Sequence, residues 1–262
     1  MINSAETYLG ATKQQVRLLR TSSRTAVATG YFSVFDLSGT PAGGVLNAGN
    51  TANGVVPTDA TAGAPTINAF TGGATGHLGT VSFGSSVACR MTLFDRLFHA
   101  GAYSFNSNVT LASQPSFSTR VDGDYKDTEI WIEAVTAFTG NLSVNITYTN
   151  QDGVTGRTVG VQALGLAPTL GRMMPIALQS GDTGVQKIES VVASVSTVGT
   201  FNVLIIRPIW SGRVKFAGDG DLHGILKTGL PQVYEDSCLH LMVAPDSTAT
   251  GVSEVLLTIA NG

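Results

Sequence analysis

The second half of the chain is a series of short, apolar-alternating runs broken by turn clusters, which restricts it to antiparallel β architecture. Thr128 to Phe138 reads TEIWIEAVTAF, and Leu142 to Thr149 reads LSVNITYT after the turn Thr139-Gly140-Asn141. Apolar residues at every second position place one side of each run on a core. Asp152-Gly153 marks a tight turn, since such turns require positive φ. Arg157 to Gln162 follows, so these three segments are expected to form an antiparallel meander. Val185 to Ser196 and Thr200 to Pro208 are expected to pair as a hairpin about Val198-Gly199. Leu239 to Ala244 and Val252 to Ile259 are the expected last strands, with one short helix within Leu222 to Thr228. Strands recurring roughly every 8–12 residues point to an all-β, antiparallel β-sandwich, of which the jelly roll is one form.

The first half is different. Residues 1–24 open with a helix-like segment that Ser4 could cap, followed by KQQVRLLR. Arg17, Arg20 and Arg24 gather positive charge in a chain of net charge −3, and an extended N-terminal arm docking on a partner is expected here. Ala26 to Leu37 is a strand candidate. Gly39 to Gly79 is Gly-rich, with Leu46, Val55, Val56, Ile67 and Phe70 as its few anchors. A loop of that length is unusual inside a compact domain, so it is expected to lie ordered against a neighbour. The expected division is therefore an arm, first strand and Gly/Ala/Thr-rich loop over 1–79, and a β-sandwich domain over 80–262.

Ser86 to Tyr103, SVACRMTLFDRLFHAGAY, is the expected hinge between them. Val87, Cys89, Met91 and Leu93 alternate as a strand, after a short one over Thr80 to Phe83. Leu93, Phe94, Leu97 and Phe98 then fall at helical spacing, which predicts a helical turn or sharp bend carrying Asp95 and Arg96 and ended by Gly101. Adjacent residues do not face each other, so Asp95 and Arg96 each need a separate partner. Backbone carbonyls within the fold and an ion pair between subunits both satisfy that need. Arg17, Arg20, Arg24, Asp95 and Arg96 are the candidate partner-binding residues.

Composition narrows the function. Charged residues make up 13% of the 262, about half the usual share, so Ser, Thr, Asn, Gly or other subunits must cover the surface. The acidic balance argues against a nucleic-acid partner, which requires a basic face. No apolar run approaches the roughly 18 residues of a membrane span. The start of the chain lacks the hydrophobic stretch of an export signal, which predicts assembly in the cytoplasm. Cys89 and Cys238 sit far apart in apolar runs and are expected as buried free thiols. His77, His99, His223 and His240 form no metal-binding spacing, and Asp219-Gly220-Asp221 lacks the rest of a calcium loop. No phosphate-binding loop or nucleophile elbow is present, so neither cofactor nor catalytic residue is expected. Glu129 and Glu133 flank Trp131 on one strand face, a combination that would suit a carbohydrate site if a cleft surrounded it.

LFDRLFHAGAY, Leu93 to Tyr103, resembles a segment of structural proteins of tailed bacteriophages, in which Trp often stands where Phe98 is. The opening MINSAETYLGATKQQVRLLRTS is similar to theirs, as are TYTNQDGVTGRT (Thr147 to Thr158), LQSGDTGVQKIESV (Leu178 to Val191) and IIRPI (Ile205 to Ile209). The likeness runs through most of the chain in the same order. It implies a virion component: a capsid decoration or cement protein bound to the major capsid protein or other virion proteins, or a neck, tail or fibre part. A homo-oligomer, such as a trimer, is the assembly that such a role implies. A carbohydrate-binding β-sandwich is the alternative from a different class.

Overall fold

The computed structural model describes residues 5–46, 50–71, 75–165, 167–193 and 198–262. Ser4, the expected cap, lies outside them. The chain forms α1 (Ala5–Gly10), β1 (Thr12–Arg20), β2 (Tyr31–Ser33), β3 (Gly39–Thr40), β4 (Asn50–Val55), β5 (Gly76–Ser85), β6 (Cys89–Ser104) and β7 (Asn108–Thr110). It continues with β8 (Glu129–Ala134), β9 (Ser143–Asn150), β10 (Gln162–Ala163), β11 (Arg172–Ile176), β12 (Val185–Ala193) and β13 (Thr200–Val214). β14 (Gly220–His223), α2 (Ile225–Thr228), β15 (Gln232–Val233), β16 (Leu239–Pro245) and β17 (Ser253–Asn261) complete it. The expected all-β, antiparallel class is the one found.

The chain divides into two compact units. The first takes residues 1–44, 58–95 and 209–262, and the second takes 45–57 and 96–208. Residues 1–79 therefore contribute to both units rather than forming a segment ahead of a β-domain at 80–262. One boundary falls inside β6, between Asp95 and Arg96.

In the first unit a six-stranded sheet runs β14-β5-β17-β1-β3, with β15 also pairing with β5. Thr12–Arg20, from the expected arm, is an internal strand of it, bonded to β17 on one edge and β3 on the other. The reason is in KQQVRLLR: Val16, Leu18 and Arg20 are buried while Gln15 and Arg17 are exposed, a period of two and not of 3.6. β16 pairs with β2 and with the first half of β6. Val16, Leu18, Val81, Phe83, Met91, Leu93, Trp210, Leu241, Val255 and Leu257 pack between these strands.

In the second unit β9 lies between β10 and β12, and β12 pairs with β7. β8 pairs with β11 and with Phe201 to Ile206 of β13. The expected meander is thus only half present. Leu142 to Thr149 does pair with the segment that follows the Asp152-Gly153 turn, but β8 pairs elsewhere. Nor do Val185–Ala193 and Thr200–Val214 form a hairpin, because β12 faces β9 and β13 faces β8. Residues 194–196, the end of that expected strand, lie outside the described residues. Sequence-adjacent strands enter different sheets, as in crossed sandwich topologies. Leu97, Phe98, Tyr103, Ile130, Ile132, Val144, Ile146, Ile188, Phe201 and Val203 belong to the core of this unit.

The described residues of the Gly-rich segment pack within the chain itself. It supplies β3, β4 and the start of β5, and it buries Leu46 and Ile67. Gly44 shows why glycine is used: its N–H donates to the Phe35 carbonyl, and a β-carbon there would overlap the Phe35 ring.

Candidate functional site

The helical turn or bend expected at Asp95-Arg96 is instead part of one 16-residue strand, β6. Every residue from Leu93 to Ala100 is at most 4% exposed, so both strand faces are covered there. Burial on both faces removes the pressure for alternation, and the apolar spacing then mimics a helix. Successive side chains point to opposite faces, which sends Asp95 and Arg96 to different partners. The Asp95 carboxylate accepts from Ser237 Oγ (2.8 Å) and from the Cys238 backbone N–H (2.9 Å), all within the first unit.

Arg96 anchors a buried polar cluster in the second unit. Its Nη2 donates to Glu133 Oε1 at 2.7 Å, with the two side chains 1% and 0% exposed. The other Glu133 oxygen accepts from Asn202 Nδ2 (2.9 Å), which also donates to the Leu46 carbonyl (2.6 Å). Arg96 Nη1 lies 3.1 Å from His99 Nδ1. A guanidinium only donates, so Nδ1 is the acceptor and the imidazole is neutral with its proton on Nε2. Burial, and then the Arg96 charge, lowers the His99 pKa to about 4 against the opposing pull of Glu133 and Asn202. Arg120, also buried, donates from Nη2 to the Arg96 carbonyl (2.9 Å) and from Nη1 to the Pro57 carbonyl. A charge with this little exposure is tolerable only when it is paired and hydrogen-bonded, as these are. The cluster holds β6, β8 and β13 in register. Its carboxylate is already committed to two donors and has no exposed surface with which to serve as an acid or base.

The three N-terminal arginines have different environments. Arg20 is 3% exposed and donates to the carbonyls of Pro41 (2.7 Å) and Gly63 (3.3 Å). Desolvation lowers its pKa, and the nearby Asp36 charge works against that. Arg24 pairs with Asp36 and is largely buried. Arg17 alone among the five candidates stands on the surface, half exposed, with Nη2 2.6 Å from Glu254 Oε1. Arg20, Asp95 and Arg96 make their hydrogen bonds inside the chain, and of the five residues Arg17 has the most exposed side chain.

The Trp131 face does not form a sugar platform. Trp131 is 6% exposed, its indole Nε1 donates to Glu129 Oε2 (2.6 Å), and Glu133 belongs to the Arg96 cluster. Sugar stacking requires an accessible ring face. His240 is likewise internal, stacked on Phe35 at 3.8 Å between centroids, with Nε2 3.4 Å from Cys238 Sγ. Cys89 and Cys238 are buried free thiols, as expected. Asp219 and Asp221 accept backbone N–H groups of their own turn, and no group of three or more metal-ligating side chains occurs among the described residues.

One polar centre has no motif to mark it in the sequence. Asp182 accepts from Tyr148 Oη (2.7 Å), Asn150 Nδ2 (2.7 Å), Arg157 Nε (2.9 Å) and Arg157 Nη2 (3.0 Å). Burial raises its pKa, but the bonds from Arg157, Asn150 and Tyr148 outweigh that and bring it down to about 2. The Tyr148 hydroxyl is pushed up to about 12, chiefly by burial. This centre ties the end of β9 to the 178–184 turn. Both stretches were separate turn clusters in the sequence, with nothing to show that they meet.

No protein-family model matches the chain, and no curated protein matches it. Among solved structures it is similar to "Structure of infectious bursal disease virus Gx strain", at 9% identity over 96% of this chain and 79% of that chain, with a TM-score of 0.21. It is also similar to "Crystal structure of infectious bursal disease virus VP2 subviral particle", at 9% identity over 96% of this chain and 80% of that chain, again with a TM-score of 0.21. Likeness at that score assigns neither a fold family nor a role.

Proposed function

We propose that the chain is a structural component of a virus particle, and specifically a decoration or cement protein that binds and stabilises the head of a tailed bacteriophage. The observation that carries this is the ordered resemblance to tailed-phage structural proteins, whose LFDRLFHAGAY segment is here buried at every position except Ala102. The surface fits that role. It is poor in charge and leaves Phe216, Leu222 and Leu226 exposed at 71%, 60% and 96%, a composition suited to being covered by other subunits. The charged clusters of the interior hold strands together, and the reading assigns the chain no reaction. Its partners are the major capsid protein or other virion proteins and further copies of itself.

Copy number per purified particle tests the reading. Hundreds of copies support a decoration protein, a few copies at one vertex make it a neck, tail or fibre part, and absence from particles overturns a virion role.

A further inference from the structure

We infer that the outer face of the six-stranded sheet is a two-fold interface between two copies of this chain; the inference rests on the reading of an assembly protein and names the surface it would use. Register lines up the residues. Arg17 lies opposite Leu256, Leu256 opposite Ser82, and Ser82 opposite Leu222, giving one row across β1, β17, β5 and β14. The next row is Leu19, Glu254, Gly84 and Gly220. Cross-strand partners share a face, and the intervening residues Val16, Leu18, Val81, Phe83, Val255 and Leu257 fill the core on the opposite side. The outer face therefore presents Leu222, exposed, and Leu19 and Leu256, partly exposed, around Ser82 and the two glycines. The small residues leave a depression of about 480 Å³ between the leucines.

Charge selects the occupant. In these two rows the charged residues are Arg17 and Glu254, which sit side by side and are 50% and 51% exposed, and Asp219 lines the rim of the depression. A partner bearing a single sign of charge would meet one attractive and one repulsive group. A second copy, related by a two-fold axis lying in the interface plane between the two residues, sets Arg17 against Glu254 of the second copy and Glu254 against Arg17 of the second copy. Isologous dimers have this self-complementarity by symmetry. Giving up the internal pair costs little, because exposed ion pairs contribute about 0–1 kcal/mol. Covering the leucines supplies the attraction.

The test uses two full-length variants, Arg17→Glu and Glu254→Arg, followed by sedimentation velocity and native mass spectrometry. The first variant's face carries two carboxylates and the second's two guanidinium groups, so each should weaken self-association by at least about tenfold through like-charge contact. Mixing the two should restore a one-to-one complex. An intramolecular pair cannot be rescued by mixing, so rescue reports contact between copies. Thermal denaturation of each variant, expected near wild type, excludes misfolding. A monomeric wild type, single variants that associate like wild type, or a mixture that fails to recover overturns the inference. A self-associating protein absent from particles would remove the virion reading alone, and a monomer present in particles would remove this one alone.

Discussion

Replacing Arg96 by methionine removes one half of a buried ion pair and leaves the other half behind. Glu133 has no solvent exposure and lies 2.7 Å from the guanidinium. Removing one partner of such a pair costs about 3–5 kcal/mol, mostly as the penalty of an uncompensated buried charge. Asn202 still donates to the other Glu133 oxygen at 2.9 Å, which places the expected loss near the lower end, about 3 kcal/mol. In a chain of this size that lowers Tm by about 6–12 °C. Glu133→Leu strands the guanidinium and should cost a similar amount. The double variant Arg96→Met/Glu133→Leu buries neither charge, so it should be more stable than either single variant, with a coupling of about 2 kcal/mol or more. Urea denaturation at pH 7 gives the comparison, with coincident fluorescence and circular dichroism curves as the condition for quoting one free energy. Arg96→Met should also regain stability as the pH falls, because an unpaired buried carboxylate binds a proton more readily folded than unfolded. A single variant within about 1 kcal/mol of wild type, or a double variant whose loss equals the sum of the two, would refute the account of the cluster.

Deleting residues up to Arg20 should abolish soluble β-structure in the first unit, because it takes β1 from between β17 and β3 along with buried Val16 and Leu18; a soluble truncation with wild-type circular dichroism would count against the sheet order. Gly153→Ala should cost about 1 kcal/mol by thermal denaturation: φ is +79°, and with the nearest atom 3.7 Å away the cost is backbone strain alone. Asp182→Asn should cost about 2 kcal/mol at pH 7. Since the folded pKa of about 2 lies below the unfolded value, the wild type's advantage should be full above about pH 4 and disappear as the pH falls through 2. His99 titrates near 4 in the folded chain, below its unfolded value, so wild-type stability should decline from about pH 6.5 toward 4, and His99→Gln should flatten that limb.

What could be read from the sequence was set by exposure. Strands with one wet face, such as β9, alternate clearly and were located to within a few residues. β1 also alternates, but its arginines give it the look of a charged arm, and the pairing with residues near 260 has no local trace. In β6 both faces are dry, so its period of two disappears and a helical spacing takes its place. Strand partners were the least legible part: β8 and β9 are neighbours in sequence but bond to different strands, a choice made by the cores and not by the turn between them. Of the candidate site, the need of Asp95 and Arg96 for separate partners was readable from their adjacency. Glu133, Asn202 and His99 were not, because they come from three segments that only the folded chain brings together.

The antiparallel pairing of β1 with β17 carries a temporal cost. Thr12 lies opposite Asn261, roughly 250 residues later. At about 5–20 residues per second, a ribosome finishes the second of these strands roughly 12–50 s after the first. For that interval Val16 and Leu18 have no sheet to enter and the edge of β1 is open to any extended chain nearby, including the nascent chains of neighbouring ribosomes on the same message. Crowded synthesis should therefore be the most hazardous period for this protein, and slowing initiation or lowering temperature should raise its soluble yield more than any change to the finished surface.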